Sequence, residues 1–282
     1  MRVADLPKVG DVNQPRTIVL LHAHPDDEAI FTSATTRWYR EQGHRVVLIT
    51  ATNGRLGYDP QGRPGPVAGH DSSATVTARL GELTTSCRLL DISEFHFLGY
   101  DDSGMQGWPE NTEPQSFVSQ DLTGVAEEIA AICRAVAADV IITYDEFGYY
   151  GHPDHIKCNQ AARAAVALVP SVSRLAYVVT PKSLFRTFVP VAEARGAVFP
   201  AWIKVKSLGW SDEDVNVDLD LSAYAAIKQD SIRAHATQID NADIMNMDPE
   251  FFRLLFGHEF YVDAWRRDGL EVATTDLLEG IA

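Results

Sequence analysis

The feature that most constrains this 282-residue chain is a set of short, nearly uncharged aliphatic runs: Thr17-Ile-Val-Leu-Leu, Arg45-Val-Val-Leu-Ile-Thr and Val140-Ile-Ile-Thr-Tyr. Each is too short for a packed helix and lacks the polar–apolar alternation of a half-solvated strand. They read as buried strands. Between them the pattern turns helical over about Ala29 to Gln42, closed by Gly43, and over about Ala74 to Leu90. A short strand follows at Glu94-Phe-His-Phe-Leu, and the periodicity of Val125, Ile129 and Ile132 marks a third helix ending near Ala137. Strands alternating with helices predict an α/β fold, a Rossmann-like, mostly parallel sheet with helices on both faces.

Two segments must be loops: Pro60 to Gly69, with three prolines and three glycines, and Asp101 to Ser119, rich in Gly, Pro and Ser. Both follow strands, and loops at the carboxyl ends of parallel strands line the ligand crevice. Beyond about residue 170 only a strand at Leu175-Ala-Tyr-Val-Val and a helix through Ala223 to Gln238 are clear. The expected organisation is therefore a core over 1–170 and a smaller C-terminal lobe or lid over 171–282 that completes the pocket, within one structural domain.

Composition narrows the function classes. The net charge of −15, with no Lys/Arg cluster, makes nucleic acid and anionic lipid poor partners. No stretch approaches the ~18 apolar residues of a membrane span, and the polar opening does not resemble a signal peptide, so a cytoplasmic, soluble protein is expected. Cys87, Cys133 and Cys158 form no CxxC pair, which argues against a disulfide framework, a thiolate metal site or thiol redox chemistry. Cys133 reads as core; Cys158 reads as core or as a neighbour of the site.

Two clusters carry chemistry. His24-Pro-Asp-Asp-Glu28 stands where the first strand gives way to a helix, an edge where desolvating four ionisable groups is costly without a purpose. Tyr150-Gly-His-Pro-Asp-His155 follows the strand at Val140, with Pro153 suited to a first helical turn. Either cluster alone could be a capped helix start. Two at equivalent strand ends of one parallel sheet can converge, and a mixed His/Asp donor set suits a borderline ion such as zinc, with an open position for water. Carboxylates and histidines left over would serve as base and as oxyanion donor.

At these residues the chain resembles the PIG-L/LmbE-like deacetylases. Ala23-His-Pro-Asp-Asp-Glu is similar to that family's first motif and Gly151-His-Pro-Asp-His to its second. Asp102-Ser-Gly-Met, Thr143-Tyr-Asp-Glu and Arg233-Ala-His-Ala-Thr-Gln resemble its mycothiol branch, so the likeness runs from about Ile18 to Gln238. The resemblance implies hydrolysis of the amide of an N-acylated glucosamine, a small-molecule substrate. It implies His24, Asp27 and His155 as ligands of Zn2+ (Fe2+ can replace it) and Asp26 as general base. It further implies His152 as oxyanion donor and as the acid that passes a proton to the amine, tuned by Asp154, Tyr150 as a mobile carbonyl-polarising group, and Arg79 and Asp102 as substrate contacts. Phe31 stands where the amidases of the branch carry lysine and the deacetylases a small polar residue, and Tyr58 stands near an expected acidic position. Both changes make the pocket more apolar.

Other residues keep two readings. His22 and His235 read as supports of the site or as buried structural histidines, Glu28 as a supporting or helix-start carboxylate, and Met105 and Trp108 as a substrate cover or as packing. The competing functions are a mycothiol S-conjugate amidase and, in another class, a non-catalytic sugar-binding module. The latter predicts a damaged ligand set or a GxGxxG turn, and the sequence has neither. Oligomeric state is not legible.

Overall fold

Five strands, each entered from a helix or loop and running the same way, build the frame of the computed structural model, which describes residues 14–194, 208–269 and 275–281. In chain order the elements begin with β1 (Thr17–His22), α1 (Asp27–Phe31), α2 (Ser33–Glu41), β2 (Arg45–Thr52), α3 (Ser72–Leu89) and β3 (Glu94–Tyr100). They continue with α4 (Leu122–Ala135), β4 (Val140–Tyr144), α5 (Pro153–Val166), β5 (Arg174–Val179) and α6 (Lys182–Ala194). After them come β6 (Val217–Asp220), α7 (Ala225–Ala234), α8 (Ala242–Met245), α9 (Pro249–Phe256) and β7 (His258–Arg266). Every residue of β1 and β4 is buried, as their uncharged runs require.

The sheet order is β3-β2-β1-β4-β5-β7-β6. The strands β1 to β5 are mutually parallel, whereas β7 pairs antiparallel with β5 and β6 antiparallel with β7. The chain moves outward from β1 to β3 and then returns to place β4 on β1's other side. Fixed crossover handedness sends the helices before and after that reversal to opposite faces. Accordingly α2 and α3 both pack against α7, and α4 packs on α5. At the β1/β4 boundary the connections diverge and leave a crevice, the place where ligands bind in open α/β sheets.

Three sequence expectations change in detail. The single helix expected over 29–42 is two, broken at Thr32, whose hydroxyl lies 2.9 Å from His22 Nε2 in the core. The free N–H groups that open α2 are met by a distant side chain: Glu259 accepts from Ala34 and Thr35 at 3.0 and 2.9 Å. The helix expected over 223–238 is confined to α7, which ends at Ala234 with His235 as its cap, and the loop 101–119 contains two short 3-10 turns. Residues after 170 add β5, β7 and β6 to the same sheet. Among the described residues no helix is long and apolar enough to cross a membrane.

Candidate active site

β1 and β4 deliver the two motifs to one crevice. After β1, Asp26 adopts φ +124° and ψ −24°, a conformation costing an L-residue on the order of 1–3 kcal/mol. The surroundings hold it there. The Asp26 N–H donates to Glu28 Oε2 at 3.0 Å, and its carbonyl accepts from Ala29 and Ile30 at 3.0 and 3.1 Å. Its carboxylate meets Arg79 Nη2 at 3.1 Å. Arg79 is itself buried, donating to the Gly54 carbonyl at 2.9 Å and to the Pro25 carbonyl. Gly54 has φ +60°, and a Cβ there would lie 2.5 Å from Arg79 Nη1, so glycine is required for both reasons. Burial pushes the Asp26 carboxyl up to about 7, with Arg79 pulling the other way. That range suits a general base working near neutrality.

After β4, the Asp145 carboxylate gathers the turn. It accepts from the Phe147 and Tyr149 N–H groups at 3.1 and 2.8 Å and from the Trp210 indole at 2.7 Å. α5 then opens with Pro153 in its first turn and His152 as its cap. His152 Nδ1 accepts from the Asp154 N–H at 3.2 Å. The proton of the neutral ring therefore sits on Nε2, pointing away from the helix. Burial, reinforced by His24 and His155, holds the His152 pKa well below its ordinary value.

His24, Asp27 and His155 converge. Asp27 Oδ2 lies 3.3 Å from His24 Nδ1 and 3.6 Å from His155 Nε2. Tetrahedral bonds of about 2.0–2.2 Å separate donor atoms by roughly 3.3–3.6 Å, so each of these two spacings is of the size found around one ion, although among the described residues Asp27 belongs to neither donor group lying mutually within 4.8 Å. The same oxygen accepts from the His24 N–H at 2.7 Å and the Tyr144 hydroxyl at 2.6 Å, which fixes the carboxylate. Tyr144 also stacks on His155, with ring centroids 3.9 Å apart and planes 7° from parallel. Both His155 ring nitrogens are buried with no hydrogen-bond partner. Orphaned buried groups of this kind are costly, and coordination of a cation relieves the cost. Burial works against ionising Asp27, yet His155 and His24 outweigh it and hold its carboxyl well below the usual range.

A wider set of donors surrounds His24. Nitrogens of His24, His152 and His155 lie within 4.8 Å of one another, as do ligand atoms of His24, Asp102, His152 and Asp154. The Asp102 carboxylate lies 3.6 Å from His24 Nε2 and accepts from the Gly104 N–H at 2.8 Å. The Asp154 carboxylate lies 3.3 Å from His24 Nε2 and accepts from the Ser103 N–H at 2.9 Å. It therefore orients His24, and only its backbone N–H reaches His152, a different arrangement from the tuning contact expected from the sequence. Arg79 likewise differs from expectation: its guanidinium is engaged by Asp26 and two carbonyls. Tyr150 stands edge-on to His155 and His152, with centroids 5.1 and 6.0 Å away.

The structure gives roles to residues for which the sequence assigns none or leaves two readings. Tyr144 is the main one: it lies in the family-like stretch Thr143-Tyr-Asp-Glu, which by itself attaches no role to it. His22 lies 3.2 Å from the Tyr144 hydroxyl and so supports the group that holds Asp27. His235 Nε2 lies 2.7 Å from Glu28 Oε1, both fully buried, which links the far end of α7 to Asp26. Phe31 stands edge-on to His155 at 6.1 Å. Cys158 packs in the hydrophobic core.

The sequence profile described as PIG-L, GlcNAc-PI de-N-acetylase, matches residues 19–166, which span both motifs. The chain belongs to the PIG-L family. Among its relatives is a 1D-myo-inositol 2-acetamido-2-deoxy-alpha-D-glucopyranoside deacetylase of Thermobifida fusca, 36% identical over 239 residues, covering 79% of this chain and 84% of the relative. The enzyme of the same name from Acidothermus cellulolyticus is 35% identical and covers 88% of each chain. Similar folds also appear among solved structures. The N,N'-diacetylchitobiose deacetylase of Pyrococcus horikoshii superimposes with TM-score 0.56 at 19% identity, over 87% of this chain and 80% of that one. A 4-carboxy-2-hydroxymuconate hydratase from Pseudomonas putida superimposes equally well, TM-score 0.56 at 13% identity, over 92% and 100%. Shared architecture alone therefore does not specify the reaction, and the site must.

Proposed function

We propose that the protein is a metal-dependent N-deacetylase acting on a small N-acetylglucosamine-type substrate. The observation carrying this reading is the buried cluster of His24, Asp27 and His155, with Asp27 within 3.3–3.6 Å of both histidines and neither His155 ring nitrogen hydrogen-bonded, beside a strained, partly buried Asp26. The names of the relatives at 35–36% identity point to the same substrate class. Two imidazoles and one carboxylate favour zinc, with ferrous iron as the alternative.

When bound, such an ion acidifies water and polarises the amide carbonyl as a Lewis acid. Asp26, with its carboxyl near 7, takes the proton of the attacking water. The C–O bond forms as the carbonyl π electrons move to oxygen, and His152 Nε2–H faces that oxygen as a donor. Asp26 then returns its proton to the leaving nitrogen as the C–N bond breaks, giving free amine and acetic acid, whose proton passes to solvent or to the amine. Arg79 keeps the Asp26 carboxylate oriented throughout, and Tyr150 lies over the same face. Asp102 and Asp154 hold His24 from its Nε2 side, leaving Nδ1 toward Asp27. The described residues after 170 share the sheet of the preceding part and contribute His235, which supports Asp26 through Glu28.

The deciding experiment pairs elemental analysis with amine release from N-acetylglucosaminides, including cyclitol glycosides. One divalent ion per chain and turnover lost on chelation are expected. Undiminished turnover by metal-free protein, or no amine release by the loaded protein, would overturn the reading.

A further inference from the structure

One strand away from the metal ligands, between α1, the end of β5, α6 and α9, lies a separate cavity of about 110 Å³. Its walls are largely aliphatic and aromatic: Phe31, Val178, Phe185, Leu255, Phe256 and Tyr149 are among them. Lys228, His258 and Glu259, which also line it, are already partnered, His258 Nδ1 lying 2.6 Å from Asp218 Oδ1. Lys228 Nζ lies 2.6 Å from Glu259 Oε1, and Glu259 is also committed to the opening N–H groups of α2. The cavity therefore calls for carbon rather than charge. An apolar cavity of about 150 Å³ takes up a benzene ring, so this one suits roughly four carbons of chain.

The Phe31 ring stands between this cavity and the site and borders both. Its ring is edge-on to His155 at 6.1 Å and to Tyr144 at 5.6 Å, while it also contacts Tyr149 at 4.7 Å and lines the cavity. On the other side of Tyr149 lies a wider cleft of about 670 Å³ that reaches Tyr150 and is lined by Glu146, Lys182, Trp210 and Asp214. That cleft has the carboxylates, amine and indole face suited to a hydroxyl-bearing sugar. The two spaces differ in chemistry as the two sides of a scissile amide do. The acyl chain is bonded directly to the carbonyl carbon held among His24, Asp27 and His155, whereas an aglycone is separated from it by the nitrogen and two ring carbons.

We propose that the cavity behind Phe31 is an acyl-chain subsite, so that this protein hydrolyses N-acyl amino sugars whose acyl group is several carbons longer than acetyl. The proposal rests on the amide-hydrolase reading above and specifies its substrate class. The reaction balances as for acetyl: water adds to the acyl carbon, the C–N bond breaks, and a short fatty acid leaves with the free amine.

The test is a series of N-acetyl-, N-butyryl-, N-hexanoyl- and N-octanoyl-glucosamine with metal-loaded enzyme, read as kcat/KM for amine release. Each buried methylene is worth about fourfold, so kcat/KM should climb along the series and level off once roughly four carbons are added. Leu255→Trp, or Val178→Phe if the first variant is unstable, should collapse the hexanoyl-to-acetyl ratio toward one. A flat or falling series in wild type, with acetyl still released, overturns the subsite and leaves the hydrolase reading standing. No release from any member overturns the hydrolase reading instead. Calorimetry with hexanoate then decides the cavity alone: saturable binding lost in Leu255→Trp supports it, and no binding by wild type overturns it.

Discussion

Replacing His235 with alanine tests whether the C-terminal part of the chain shapes the catalytic base. Glu28 and His235 are both fully buried and lie 2.7 Å apart. Burial disfavours charge on each, but the partner wins: Glu28 is held below its ordinary pKa and His235 above it. Truncating one member strands the other charge in the interior, which typically costs about 3–5 kcal/mol. At about 2–4 °C per kcal/mol for a domain of this size class, Tm should fall by roughly 6–20 °C. Glu28 can escape only by taking up a proton or by turning away. Either response weakens the acceptor of the Asp26 N–H, and that hydrogen bond helps to hold Asp26 at φ +124°. A shift of the base by about 1 Å costs on the order of 10² in rate. His235→Ala should therefore lower kcat about 10²-fold while retaining one metal per chain, since it touches none of His24, Asp27 or His155. His235→Gln, which keeps a donor, should recover part of both losses. The assay is a melting curve, metal stoichiometry and kcat on the same preparations. A variant that melts within about 2 °C of wild type, the shift of a roughly 0.5 kcal/mol effect, would refute the energetic argument. Normal kcat in a destabilised but folded variant would refute the positioning argument.

Three further outcomes are expected. Asp26→Asn should keep the metal and lose at least about 10² in kcat, because a positioned base contributes roughly 10²–10⁴; loss of metal in that variant would make Asp26 a ligand. His155→Ala should lose stoichiometric metal, whereas His152→Ala should keep it and lose about 10²–10³ in kcat, and metal titration of both variants decides between this assignment and its reverse. His44 is buried, its Nδ1 accepting from the Arg16 N–H at 3.1 Å, and burial lowers its pKa in the folded state. The unfolded chain then takes up the proton first, so stability is full above the unfolded value of about 6.5 and declines as pH falls below it. Denaturation midpoints between about pH 7.5 and about pH 5.5 should therefore drop less in His44→Phe than in wild type, and equal slopes would refute this.

What the chain determines locally is the frame and the location of the chemistry. The decisive signal is the absence of charge through β1 and β4 and, past Arg45, through β2, because a strand covered on both faces cannot desolvate one. The clusters at His24 and His152 were legible because ionisable groups at the ends of such strands must have partners. Tertiary structure decided what those partners are. Thr32 breaks an otherwise continuous helical pattern because its hydroxyl meets His22, and Glu259 caps α2 from 225 residues away. Asp154 turns its carboxylate to His24 rather than to its neighbour His152, and Tyr144, whose stretch is family-like but whose role the sequence does not state, fixes Asp27. The antiparallel pairing of β7 with β5 and the contact of His235 with Glu28, 207 residues apart, have no local periodicity to announce them. Hydrogen bonds and ion pairs depend on distance and direction in space, and only the closed sheet, with helices packed on its faces, sets those.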